Sequence, residues 1–187
     1  ISLDSSGDSL HMRGYRHDTN DAPLNEVLAA GLVLQSGWDG KGNFVDLTAG
    51  SGTILIEAAR YAMNIHPQKS RTYFGFKNWN SFDHRLFEKI YTELLAAEKE
   101  IETPFIGMEI SAQTAQIAKR NIRIANLEES IEIRSKAFQK MKAVKGTGII
   151  ISNPPYDERL QEDNIERLYY DLGEKLFHDF KGWDAWF

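Results

Sequence analysis

The chain reads as an α/β fold, a mostly parallel sheet with helices on both faces. Three observations predict it. From Phe44 onward, short apolar runs alternate with helix-length amphipathic segments, a β-α-β-α-β order that suits parallel strands joined by crossover helices. The stretch G-I-I-I-S at 148–152 places three isoleucines in a row, the pattern of a buried strand. The length of 187 residues is enough for one sizeable domain with its own core.

Taken in order, residues 2–15 set Ser6-Gly7-Asp8 between two short alternating arms, which predicts a hairpin. Asp21-Ala22-Pro23 opens a helix with proline in its first turn, where the missing N–H costs little. Leu24, Val27, Leu28 and Leu32 continue it at helical spacing to about Gln35. Residues 43–47 form a strand, 49–52 a tight glycine turn, and 53–64 a helix. An insertion follows: 66–83 is rich in aromatic and polar residues, and 85–99 is helical through Leu86, Ile90, Leu94 and Leu95. Residues 105–109 are the next strand, and Ser111 caps a helix to about Ala125. Strands at 131–135 and 148–152 and an amphipathic helix at 165–180 complete the pattern, and 183–187 looks like a strand just begun.

Composition narrows the functional classes. With 42% hydrophobic and 26% charged residues, the chain has an ordinary globular make-up. It contains no cysteine, which excludes disulfides and thiolate metal sites, and its five histidines are scattered, so no metal centre is expected. Neither a membrane-length apolar run nor a secretory leader is visible, and a cytoplasmic location is the default. A formal charge of −5 argues against gripping nucleic acid by bulk electrostatics. Two local basic patches exist, H-M-R-G-Y-R-H at 11–17 and K-R-N-I-R at 119–123, and both also read as solvated surface. Because the chain starts at Ile1 and stops in an apolar run, it is read as a piece of a longer protein.

In open parallel sheets, ligands bind beyond the carboxyl ends of the strands, and three strand ends here carry unusual residues. D-L-T-A-G-S-G-T at 46–53 is a strand, glycine turn and helix start, which lets backbone N–H groups approach a ligand with no Cβ in the way. It is neither a full dinucleotide fingerprint nor a P-loop, and a plain turn would also explain it. Glu109 ends the second strand, where a carboxylate can accept hydrogen bonds from ribose hydroxyls, although a surface acid would look the same. Asn153-Pro154-Pro155-Tyr156 ends the run of isoleucines. Proline fixes φ and extends the residue before it, so this exit is stiff. The Asn153 amide oxygen and the Pro154 carbonyl are both acceptors, which suits the two N–H donors of an exocyclic amino group. Tyr156 offers a ring on which an extruded base can stack.

N-P-P-Y at the end of the fourth strand resembles the hallmark of S-adenosylmethionine-dependent methyltransferases that act on amino groups, with a Rossmann-like class I fold. The likeness narrows with L-H-M-R-G-Y-R at 10–16, A-P-L-N-E at 22–26, G-S-G-T-I-L-I-E-A-A at 50–59, F-I-G-M-E at 105–109 and N-P-P-Y-D-E-R-L at 153–160. Together these are similar to bacterial THUMP-containing RNA methyltransferases, in particular to those that modify guanine N2 of large-subunit (23S) ribosomal RNA. The resemblance spans nearly the whole chain. It implies that residues 1–42 lead into a methyltransferase domain at 43–187, that a THUMP module precedes it, and that the sheet's last strands lie beyond Phe187. It implies a cofactor site at Pro23, Asp46, Thr48, Ala49, Gly50, Gly52, Glu109, Ile110, Ala137 and Phe138, and a catalytic site at Asn153, Pro154, Pro155 and Tyr156. The family's third-strand acid falls at Ala137, so Phe138 or nearby backbone is expected to meet the adenine instead. Asp157 stands where the family usually has glycine.

Arg13, Arg16 and Arg159 can pair with RNA phosphates, and surface or intramolecular salt bridges account for them equally well. The motif suits guanine in transfer RNA, or adenine in DNA or RNA, as readily as ribosomal guanine. A non-catalytic nucleotide- or RNA-binding module would need the glycine turn but not Asn153.

Overall fold

The computed structural model describes residues 3–16, 24–102, 104–155 and 162–187. Five parallel strands form one sheet: β1 (Asn43–Asp46), β2 (Phe105–Met108), β3 (Ile131–Arg134), β4 (Gly148–Ile151) and β5 (Asp184–Trp186), in the order β3-β2-β1-β4-β5. The helices are α1 (Glu26–Gln35), α2 (Thr53–Ala62), α3 (His84–Ala96), α4 (Ala112–Ile124) and α5 (Glu162–Asp179). This is a Rossmann-like sheet, and the reversal of strand order between β1 and β4 puts a switch point at its centre.

Strand alternation divides the core into two layers. Phe44, Phe105, Ile131, Ile133, Ile149 and Ile151 face the layer covered by α1, α2 and α4. Val45, Met108 and Ile150 face the other, closed by Phe138, Met141, Leu172 and Phe180. At the β3 edge the second face is open, and Glu132 and Arg134 pair there at 2.7 Å. In the layer covered by α1, α2 and α4, Gly107 marks a close approach: a Cβ there would stand 2.5 Å from Leu55 Cδ1 and 2.7 Å from Ile133 Cδ1. A glycine inside a strand signals such contact.

Helix boundaries follow local chemistry. Ser111 Oγ accepts the Thr114 N–H at 3.2 Å, as its N-cap position predicts. One N-terminal expectation is corrected. The 2–15 segment contributes no strand pair among its described residues. The Asp4 carboxylate accepts the N–H groups of Ser6 and Gly7 instead, and Gly75 and Phe76 donate to the carbonyls of Ser6 and Ser5. An aspartate-centred turn and a distant partner therefore replace the hairpin. Helix α1 runs from Glu26, with the Asn25 side chain accepting from Val27 and Leu28 N–H, and the expected opening at 21–23 lies outside the described residues. Its buried face is Ala29 and Val33, with Leu24 and Leu32 packed beside the core, while Val27 and Leu28 are exposed. Small side chains let α1 lie close to α2, and the larger ones are turned outward.

Candidate active site

Register brings the three suspected strand ends to one edge. Asp46 pairs with Gly107, and Val45 pairs with Ile150. The turn after Asp46, Glu109 after β2 and Asn153 after β4 thus follow neighbouring parallel strands at the same end of the sheet. β2 and β4 lie on opposite sides of β1, so Glu109 and Asn153 leave the sheet on either side of it.

The glycine turn is held from three sides. Ala49 N–H donates to Met108 O at 2.8 Å, Gly52 N–H to Ala49 O at 2.8 Å, and Asn121 Nδ2 to Ser51 O at 3.1 Å. Gly50 and Gly52 have φ of 54° and 84°, left-handed values that favour glycine. Gly52 is also the residue from which α2 starts, so the helix N-terminus opens at the turn. Thr48 Oγ1 is buried there without a hydrogen-bond partner among the described residues, a polar atom left over for a ligand.

Glu109 is built into this turn. Its Oε2 accepts Gly50 N–H at 3.0 Å and its Oε1 accepts Ser111 N–H at 2.8 Å. Each carboxylate oxygen retains acceptor capacity for a hydroxyl. Beside it Ile110 is 76% exposed, an apolar side chain standing free at a strand end. Asp46 is fully buried, with Oδ1 accepting Thr48 N–H at 3.0 Å. Burial pushes its carboxyl up to about 7; the Thr48 N–H and Ser152 hydroxyl oppose that shift and the Glu109 charge adds to it.

On the other side of β1, Asn153 and Pro155 are half-buried and Pro154 is buried. Ala137 sits at the start of the short 3₁₀ turn Phe138–Lys140 after β3 and brings no acid to the edge. Phe138 is a core residue of the second layer. Pro23, Tyr156 and Arg159 lie outside the described residues.

The two remaining arginines are engaged within the protein. Arg13 Nη1 pairs with Glu57 Oε2 at 2.7 Å, and Tyr15 OH donates to Glu57 Oε1 at 2.8 Å. Arg16 Nη2 donates to Leu24 O at 2.7 Å and Thr53 Oγ1 at 2.8 Å, and Nη1 lies 3.7 Å from Glu26. The arm therefore clamps the start of α2 just behind the glycine turn. Gly107, Asn121 and Ser152 were missed by sequence reasoning. A glycine inside F-I-G-M-E was the readable signal for the first. The other two act through partners 70 and 105 residues away.

Sheet order, glycine turn and strand-end acid define a methyltransferase-type Rossmann-like domain. SMU.472, a methyltransferase crystallised with S-adenosylhomocysteine, matches it with a TM-score of 0.89 and 35% identity, over 97% of this chain and 47% of that one. A Listeria monocytogenes protein named a predicted N6-adenine-specific DNA methylase matches with a TM-score of 0.87 and 33% identity, over 97% of this chain and 48% of that one. The chain belongs to the family described as RMKL-like, methyltransferase domain, whose model matches residues 13–186. It is 39% identical to the ribosomal RNA large subunit methyltransferase K/L of Shewanella baltica, over 98% of this chain and 27% of that protein. It thus spans about a quarter of the length of such curated relatives.

Proposed function

We propose that this domain transfers a methyl group from S-adenosylmethionine to the exocyclic N2 nitrogen of a guanine in large-subunit (23S) ribosomal RNA. The observation that carries the reading is the meeting, at one sheet edge, of the glycine turn, Glu109 and the Asn153-Pro154 acceptors. The residues present fit the cofactor. The unpartnered Thr48 Oγ1 and the two left-handed glycines leave room and polarity for its methionine end. Glu109 would hold the ribose and Ile110 would cover the adenine, whose amino group meets backbone near Ala137 and Phe138 instead of a carboxylate. Bound there, S-adenosylmethionine supplies an electrophilic methyl group.

The protein's own part is orientation. Asn153 Oδ1 and Pro154 O accept the two amino hydrogens of the base, which draws the nitrogen lone pair out of conjugation and aims it across β1. Holding reactants in an attack geometry supplies much of the rate. No strong base is needed, since the proton can leave once the nitrogen is cationic. Tyr156 would stack on the base, with Pro155 stiffening the cradle. An upstream THUMP module, outside this chain, would supply most of the RNA affinity, in keeping with the −5 charge. The setting would be the cytoplasm, where ribosomal RNA is modified in bacteria.

Asn153→Ala in the full-length protein is expected to lower kcat by at least ~10²-fold while S-adenosylhomocysteine affinity, measured by calorimetry, changes little. Full activity in that variant would sink the assignment. Adenine is the second reading, favoured by the name of the Listeria neighbour. Labelled-methyl transfer into separated ribosomal RNA, transfer RNA and DNA pools, followed by nucleoside mass analysis, decides between the two bases. A domain that binds S-adenosylhomocysteine yet labels none of these pools would be a binding module.

A further inference from the structure

The cofactor side and the acceptor side of the edge are joined by a side chain that belongs to neither motif. Ser152 directly precedes Asn153 and is buried. The paired register of β1 with β4 runs from Asn43↔Gly148 to Val45↔Ile150. Beyond it the connection passes to a side chain: Ser152 Oγ accepts the buried Leu47 N–H at 2.8 Å. The Ser152 hydroxyl also favours the ionised form of the neighbouring Asp46 carboxylate. A hydroxyl can donate while it accepts, so the Ser152 proton stays available beside Asp46 while its oxygen holds Leu47. On its far side, Ser152 N–H donates to Trp186 O at 3.0 Å. Ser152 is thus tied to strands on both sides, and the stiff Asn153-Pro154-Pro155 exit grows from that knot.

We propose that Ser152 is a positioning residue that sets the distance between the acceptor pair at Asn153-Pro154 and the cofactor turn at Asp46–Gly52. The inference rests on the reading of that edge as the methyl-transfer site. Prolines stiffen the exit downstream of Asn153, so its placement depends on what fixes the residue before it. A misplacement of about 1 Å in an attack geometry costs on the order of 10²-fold in rate. The groups facing the Asp46 carboxyl are the Thr48 N–H, the Ser152 hydroxyl and the Glu109 carboxylate. The hydroxyl favours the ionised carboxylate and Glu109 disfavours it. Removing the hydroxyl should therefore move the rise of activity with pH to higher pH.

The test uses the full-length protein and ribosomal RNA lacking the modification. Ser152→Ala is expected to lose ~10²-fold in kcat, keep its KM for RNA, and shift the acidic limb of the pH profile upward. Ser152→Thr, which keeps the hydroxyl, should recover the limb and most of the rate. A folded Ser152→Ala protein with the wild-type kcat and pH limb would overturn the inference, because a merely structural role moves only the melting temperature. If the alanine variant does not fold, Ser152→Cys replaces it: a kcat well below that of Ser152→Thr supports the role, and equal kcat values overturn it. Asn153→Ala separates the two levels. If that variant is inactive while Ser152→Ala is fully active, only this inference falls. If Asn153→Ala is fully active, the reading of the site falls first.

Discussion

Glu57 and Asp46 are both carboxylates buried within the domain, but their surroundings are opposites. Glu57, on α2, is met by a cation and a phenol: Arg13 at 2.7 Å and Tyr15 OH at 2.8 Å, with Arg60 stacked over the Tyr15 ring at 5.0 Å. Asp46 has no basic group among the influences on its charge; its neighbours are a backbone N–H, a hydroxyl and another acid, Glu109. Burial raises both carboxyls, but Arg13 and Tyr15 offset the rise at Glu57, whereas Asp46 reaches about 7. A buried carboxylate with its cation in place is joinery, here fastening the N-terminal arm to the helix behind the glycine turn. A buried carboxylate left without one sits where a cationic ligand would be welcome.

The contrast breaks most visibly at Glu57. Glu57→Ala leaves Arg13 without its ion-pair partner and Tyr15 OH without its acceptor, and is expected to destabilise the domain by ~3–5 kcal/mol in urea unfolding. A loss below ~1 kcal/mol would mean that the ion pair is not what holds the arm. Asp46→Asn should act in the opposite direction. A carboxyl raised from 3.8 to about 7 on folding contributes stability that is full below pH 3.8 and lost as pH rises through about 7. The asparagine variant should therefore be flat over that window and more stable than wild type at pH 8, by a few kcal/mol at ~1.4 kcal/mol per unit. The same substitution should weaken S-adenosylhomocysteine binding, the mark of a site strained for use. The smallest effect is expected at Leu86→Ala on α3, a helix that buries none of its residues. A change within ~0.5 kcal/mol would confirm that neither carboxylate's region draws on that surface.

Features set by neighbours in sequence were legible from the chain alone. Short apolar strands, the Ser111 cap and the glycine turn lie within a residue or two of their expected places, because each has a local signal. The shared edge was legible too, since a parallel alternation forces all strand ends of one kind to the same side. What failed depended on distant partners. The hairpin at 2–15 yields to Arg71, whose guanidinium donates to the carbonyls of Ser6 and Asp8. Arg13 and Arg16 read equally as phosphate contacts or internal ion pairs, and only the partners Glu57 and Thr53, 44 and 37 residues on, give them their internal bonds.

The central strand has a consequence for how the chain is made. β1 meets β2 and β4, and the links that join its end to each neighbour span 59 and 105 residues. On a ribosome that elongates at about 5–20 residues per second, the β2 side can close seconds before β4 has emerged. For that interval Phe44 and Val45 present an unpaired apolar edge, the kind of surface that invites aggregation. The nascent domain is most exposed just before its acceptor segment is synthesised, so a translational pause upstream of Gly148 should lower its soluble yield more than one between β4 and β5.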